Sequence, residues 1–194
     1  NNNIDYNIIN EDEYNNLLSF KNKIEDLEDT KSWDKAKKLS NEYELIHLPN
    51  KKIKSESISL YEPLSRSYFK MWEILHEFKF NNIDNLDPIN ITGIAEGPGG
   101  FIEALLNYRA KYHNCTDNIY GITLKSTNKD IPGWKKAYKF LKKHNNISIS
   151  YGEDGTGNIY NIDNIKHFCN KLGGRKMDIV TADGGFDFSN NFNN

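Results

Sequence analysis

The chain has 194 residues, 37% hydrophobic and 12% aromatic, which is room for one α/β domain with a packed core plus a helical segment and excludes disorder throughout. A formal net charge of −2 excludes a uniform basic field, so contact with nucleic acid has to come from local patches. No apolar run reaches the roughly 20 residues of a membrane span, residues 1–5 carry no signal-peptide pattern, and Cys115 and Cys169 are the only cysteines, without C-x-x-C spacing. A zinc site and a disulfide framework are therefore unsupported, no metal is expected, and a reducing, cytoplasmic setting is. The pairs Lys135-Lys136 and Lys142-Lys143 are too short to form a nuclear basic cluster.

Three segments with helical periodicity come first. Residues 11–27 place Tyr14, Leu17, Leu18, Phe20 and Ile24 among charges, and residues 33–46 place Trp33, Ala36, Leu39 and Tyr43 on one side. Pro49 and Lys51-Lys52-Ile53-Lys54 read as a loop. The third helix is expected to begin near Pro63, which suits a first helical turn, and to run to Phe78.

The pattern then alternates. Strands are predicted over residues 91–95, 119–124, 147–151 and 177–182, with helices over 101–113, 134–143 and 162–172 between them. Strands separated by helices of this length give a parallel, doubly wound α/β sheet, with ligands at the carboxyl edge of its strands. The expected division is a helical extension over residues 1–60 and a Rossmann-like domain over 61–194. Only the first four strands of that domain are present, so its C-terminal part is expected to lie beyond Asn194.

Between the first predicted strand and its helix stands Ala95-Glu96-Gly97-Pro98-Gly99-Gly100-Phe101. Glycines there allow a tight turn and close approach of the backbone to a ligand. Contiguous glycines around a proline do not have the G-x-G-x-x-G spacing of a dinucleotide site. A methionine moiety needs a close backbone and an acceptor for its ammonium, and Glu96 offers that charge. The competing reading is a strand-to-helix turn with packing glycines, and the loop alone leaves both open.

This loop resembles that of the FtsJ-like family of S-adenosylmethionine-dependent RNA 2′-O-methyltransferases. Two further blocks in the same order resemble the family's pattern: Leu64-Ser65-Arg66-Ser67-Tyr68-Phe69-Lys70-Met71-Trp72-Glu73-Ile74, and Ile179-Val180-Thr181-Ala182-Asp183-Gly184-Gly185-Phe186. Gly121-Ile122-Thr123-Leu124-Lys125 and Tyr151-Gly152-Glu153-Asp154-Gly155-Thr156-Gly157-Asn158-Ile159 are similar to segments of the messenger-RNA cap branch. Asn158 stands where that branch tends to have Asp.

The resemblance implies methylation of a ribose 2′-oxygen by a Lys-Asp-Lys-Glu tetrad. Lys70 and Asp183 match its first two members, and the other two are expected after Asn194. A cation near the hydroxyl stabilises developing alkoxide character, and a carboxylate orients the groups. Glu96 to Phe101 (Gly97, Pro98, Gly99 and Gly100 included) would hold the methionine part of S-adenosylmethionine. Thr123 and Leu124 would border ribose and adenine, Asp154 would take the ribose hydroxyls, and Asn158 the adenine. Arg66, Lys51, Lys52 and Lys54 are candidates for RNA phosphates, with capped mRNA the implied partner. Three alternatives stand beside this: a ribosomal- or transfer-RNA methyltransferase of the same family, a catalytically inactive RNA-binding scaffold, and a nucleotide-binding Rossmann domain.

Overall fold

The computed structural model of the chain describes residues 9–25, 31–32, 36, 40, 59, 61–78, 80, 83–84, 87–113, 116–128, 131 and 133–184. The chain divides into two compact units, residues 61–184 and residues 1–60 with 185–194. In the latter unit, helix α1 spans Glu11–Glu25, with Glu11, Asp12 and Glu13 in its first turn. There the Asn10 side chain accepts from the Glu13 amide at 3.2 Å, so cap and acidic residues both complement the amino end of the helix. Of the predicted helix over 33–46 only Ala36 and Ser40 are described, both helical, and the loop carrying Lys51, Lys52 and Lys54 lies outside the described residues. Among the described residues no helix is long and apolar enough to cross a membrane.

The unit 61–184 is a Rossmann-like α/β unit. Its elements are α2 (Ser67–Glu77), β1 (Asn90–Ile94), α3 (Gly100–Tyr112), β2 (Asn118–Ile122), α4 (Tyr138–Lys143), β3 (Ile147–Ser150), α5 (Ile162–Leu172) and β4 (Ile179–Ala182). The strands form one sheet in the order β3-β2-β1-β4. All pairings are parallel, with Gly93 opposite Gly121 on one side and opposite Thr181 on the other. Chain direction across the sheet reverses between β3 and β4, so β1 and β4 flank the switch point at which open α/β sheets bind ligands. Right-handed crossovers put α3 and α4 on one face and α5 on the other.

The core lies under α3. Ile91 and Ile119 from the sheet meet Ile102 and Leu105 of α3, Met71 and Leu75 of α2, and Trp134 and Ala137. α2 starts at Ser67 rather than near Pro63. The preceding segment is held by the buried Glu103 of α3, which accepts from the Leu64 amide at 2.7 Å and the Tyr61 hydroxyl at 2.8 Å. A Cβ on Gly100 would lie 2.2 Å from the Ser65 and Ser67 hydroxyl oxygens. Only glycine at the first position of α3 lets the start of α2 dock there, and that contact brings Lys70 to the carboxyl edge.

Candidate active site

The glycine loop leaves β1 through Ala95, which has φ 55°. A non-glycine residue held in the left-handed region stores strain of about 1 kcal/mol, the kind that clusters at functional sites. Gly99 follows at φ 107°, and its amide donates to the Glu96 carbonyl at 2.7 Å. Glu96 itself is turned inward and is 5% exposed. Its Oε1 accepts from the Phe101 amide at 3.0 Å and the Ile102 amide at 3.2 Å, and its Oε2 lies 3.4 Å from the Thr181 hydroxyl. The carboxylate thus serves the amino end of α3. Gly99, Gly100 and Phe101 are also buried, whereas Gly97 and Pro98 are half-buried. Both readings of this loop therefore hold in part: its second half packs, and its first half borders the open edge.

Burial pushes the Glu96 carboxyl up to about 7, against the opposing pull of the Ile102 and Phe101 amides. The folded protein holds this proton more tightly than the unfolded chain, whose value is near 4.5. Stability from this group is therefore fully present at low pH and declines as pH rises from about 4.5 to about 7, by roughly 3 kcal/mol at about 1.4 kcal/mol per unit. Glu96→Gln keeps the acceptor for the two amides and removes the titration. Urea unfolding at pH 5 and pH 7.5 is expected to show the variant gaining roughly 2 kcal/mol relative to the wild type over that interval. An unchanged difference between the two proteins at both pH values would sink the assignment.

Asp183 follows β4 directly, and Lys70 stands in the first turn of α2. The Lys70 ammonium donates to Asp183 Oδ1 at 3.0 Å and Oδ2 at 3.2 Å, with the side chains 59% and 35% exposed. The pair is thus open to an incoming group. Residues 113 apart in sequence meet here because α2 docks on the start of α3 while β4 pairs with β1. A Cβ on Gly184 would lie 2.8 Å from the Ala95 Cβ, so the exit of β4 rests against the glycine loop. Exposed Arg66 lies one turn before Lys70.

The four other predicted ligand-binding residues converge on the far side of the glycine loop. Thr123 is buried, and its hydroxyl accepts from the Gly97 amide at 3.1 Å. Leu124 is 40% exposed. The loop after β3 lies across this segment: the Lys125 amide donates to the Thr156 carbonyl at 2.7 Å. A Cβ on Gly157 would fall 1.8 Å from the Thr123 carbonyl oxygen, so no other residue permits the crossing.

Within that loop Asp154 is occupied locally. Its Oδ1 accepts from the Thr156 hydroxyl at 2.7 Å and amide at 2.8 Å, and its Oδ2 accepts from Asn161 at 2.9 Å. These bonds, the Thr156 hydroxyl foremost, hold its carboxyl well below the usual carboxylate range. Asn158 is exposed, and its Oδ1 accepts from the Tyr160 amide at 3.0 Å. The loop is anchored by a residue that sequence reasoning missed. Asn164 of α5 is fully buried, accepts from the Asp154 amide at 3.1 Å, and donates to the Asn158 carbonyl at 3.0 Å. The available signal was an amide one turn before Phe168 on the apolar side of an amphipathic helix. In a chain this rich in Asn that signal is weak.

A parallel sheet with a glycine turn after its first strand and a Lys–Asp pair at the switch point is a layout suited to methyl transfer. The sequence model of the FtsJ-like methyltransferase family matches residues 63–194, and the chain belongs to that family. It is also similar to the cap-specific mRNA (nucleoside-2′-O-)-methyltransferase 1 of Trypanosoma brucei brucei, with 29% identity over 99 residues. That match covers 48% of this chain and 24% of the relative, so the chain spans about a quarter of that protein's length.

Proposed function

We propose that this chain forms the donor-binding half of an RNA ribose 2′-O-methyltransferase site, with S-adenosylmethionine as donor and capped mRNA as substrate. The observation that carries the reading is the Lys70–Asp183 pair, 3.0 Å apart and solvent-accessible, beside the glycine loop. The bound donor supplies a methyl group already activated by its sulfonium. The chain's residues align the acceptor and stabilise charge.

The Lys70 ammonium has three donors, and the Asp183 carboxylate fixes its direction. A ribose hydroxyl that reaches Lys70 meets a cation held in place before the reaction, which favours the negative charge growing on the oxygen. Arg66 is placed to meet a neighbouring phosphate. Several features suit the donor: half-buried Gly97 and Pro98 present a close backbone, exposed Leu124 an apolar ledge for a purine. Asn158 adds an Nδ2 group with no partner among the described residues, a donor matched to a purine ring nitrogen. Asp154 and Glu96 act on this site through the loops they hold.

The cap preference rests on the likeness to a cap-specific relative. It is tested, in the protein that also carries the tetrad residues expected after Asn194, by methyl transfer from labelled donor to capped and uncapped copies of one transcript. Transfer to the capped copy is expected to exceed transfer to the uncapped one by at least about tenfold, the effect of one well-placed contact worth about 1.4 kcal/mol. Equal transfer would replace the cap assignment with a ribosomal- or transfer-RNA substrate. Retained RNA binding without transfer to any RNA would make the domain a scaffold.

A further inference from the structure

From Ile131 to Gly152 the chain has five lysines and no Asp or Glu, within a protein of net charge −2. The five are Lys135, Lys136, Lys139, Lys142 and Lys143, and all are exposed. The turn before α4 is already helical in its bonding: the Ala137 amide donates to the Trp134 carbonyl at 3.0 Å and the Leu141 amide to the Ala137 carbonyl at 2.8 Å. At about 100° per residue the lysines fall within an arc of about 120°. Tyr138, 66% exposed, lies at the margin of that arc. Trp134, Ala137, Phe140 and Leu141 point the other way, into the core.

The position of this arc is fixed. The Trp134 indole fills the space above two glycines: a Cβ would lie 2.8 Å from it at Gly121 and 3.0 Å at Gly99. A Cβ on Gly97 would lie 2.8 Å from the Gly133 Cα. The lysine arc therefore begins against the glycine loop and runs away from the carboxyl edge for about 12 Å, at about 1.5 Å per residue.

The arc is costly to the fold. Lys135 and Lys139, Lys139 and Lys143, Lys136 and Lys139, and Lys139 and Lys142 are like charges at helical neighbour spacing, each pair unfavourable. Among the described residues none of the five has an ion-pair partner, whereas Lys70 is paired with Asp183 and Lys166 with Asp163. Nothing in the packing requires the five charges, and a bound polyanion offsets their repulsion.

We infer that the lysine arc of residues 135–143 is a second RNA-binding surface, which holds phosphates of the strand away from the methylated nucleotide. About 12 Å of cations spans three to four steps of a stacked strand at about 3.4 Å each. An exposed tyrosine among cations is the combination that retains single strands without reading sequence. The inference rests on RNA as the substrate class and is indifferent to the cap.

The test measures binding of a labelled single-stranded oligouridylate to the whole chain by fluorescence anisotropy, at KCl from about 50 to 200 mM. The variant is Lys135→Gln/Lys139→Gln/Lys142→Gln. The control, Lys111→Gln/Lys166→Gln/Lys176→Gln, removes the same charge elsewhere. Three lost phosphate contacts at about 0.7 each lower the slope of log affinity against log salt by about 2, and affinity at 0.1 M falls roughly ten- to hundredfold. The control stays within about twofold. All six lysines are exposed, so the control is expected to melt close to the wild type, and the arc variant, relieved of its like-charge pairs, no lower than the wild type. An equal loss in the control, or no loss in the arc variant, overturns the inference. So does arc-dependent binding to phosphatidylserine vesicles with RNA binding unchanged. Absence of methyl transfer on every RNA by the protein that also carries the tetrad residues expected after Asn194 would refute the proposed function instead, and would leave an arc-specific loss of RNA binding standing.

Discussion

Lys70→Met, in the protein that also carries the tetrad residues expected after Asn194, is expected to lower the rate of methyl transfer by about 10²- to 10⁴-fold at saturating donor and RNA, with donor affinity changed less than about twofold. The expectation follows from where the ammonium sits. It is exposed and directed by both oxygens of Asp183, and among the described residues it makes no hydrogen bond to the loop residues that border the donor site. Methionine preserves length and helix propensity at this exposed position, so stability should change by no more than about 0.5 kcal/mol. The variant leaves Asp183 unpaired at the edge, where its carboxylate is still solvated. Lys70→Arg retains the charge, but a planar fork replaces a compact ammonium, and only part of the activity should return. Calorimetry with S-adenosylhomocysteine separates the two roles. A folded Lys70→Met protein that no longer binds this product would make Lys70 a donor-site residue, not a catalytic one.

The architecture was legible because its signals are local. Alternation of β-prone and amphipathic runs located every element of the sheet, and α5 spans Ile162–Leu172 as its periodicity and the following glycine predict, with Gly173 at φ 62° ending it. What the sequence hid was the pairing of polar groups, near and far. Glu96 reads as a ligand-facing acid, since nothing local says that the amides of Phe101 and Ile102 claim it. Asp154 reads as a ribose ligand, and nothing local says that a hydroxyl two residues later and an asparagine seven residues later bond its two oxygens. Pro63 reads as a helix start, and Glu103, 39 residues from Leu64, displaces that start by four residues. Helix α4 is shorter than its periodicity because Trp134 is committed to the glycines beneath it. In each case the partner is set by how loops and helices pack, which the local pattern of apolar and polar residues does not encode.

The largest expected effect on stability comes from a pair with no role at the site. Arg109 and Asp117 are each 1% exposed. The guanidinium donates through Nε to Asp117 Oδ2 at 2.9 Å and through Nη2 to Oδ1 at 2.7 Å. It also donates to the carbonyls of Ile83 at 2.6 Å and Asp87 at 2.9 Å, while Asp117 Oδ1 accepts from the Ile89 amide at 3.0 Å. One cation and one anion thereby join the end of α3, the segment leading into β1 and the entry to β2. Arg109→Met removes the cation and strands a buried carboxylate, which costs about 3–5 kcal/mol. That is a large share of the roughly 5–15 kcal/mol by which a domain is stable. The melting temperature should fall by roughly 10–20 °C. Restoring charge balance with Arg109→Met/Asp117→Leu should recover only part of the loss. The Ile89 amide and the Ile83 and Asp87 carbonyls then remain without the partners they have now, at about 1–3 kcal/mol for each that stays buried. Thermal unfolding of the two variants decides this: a drop below about 4 °C for Arg109→Met would show that water enters and solvates Asp117. Full recovery in the double variant would show that the backbone groups find new partners when the loop before β1 shifts.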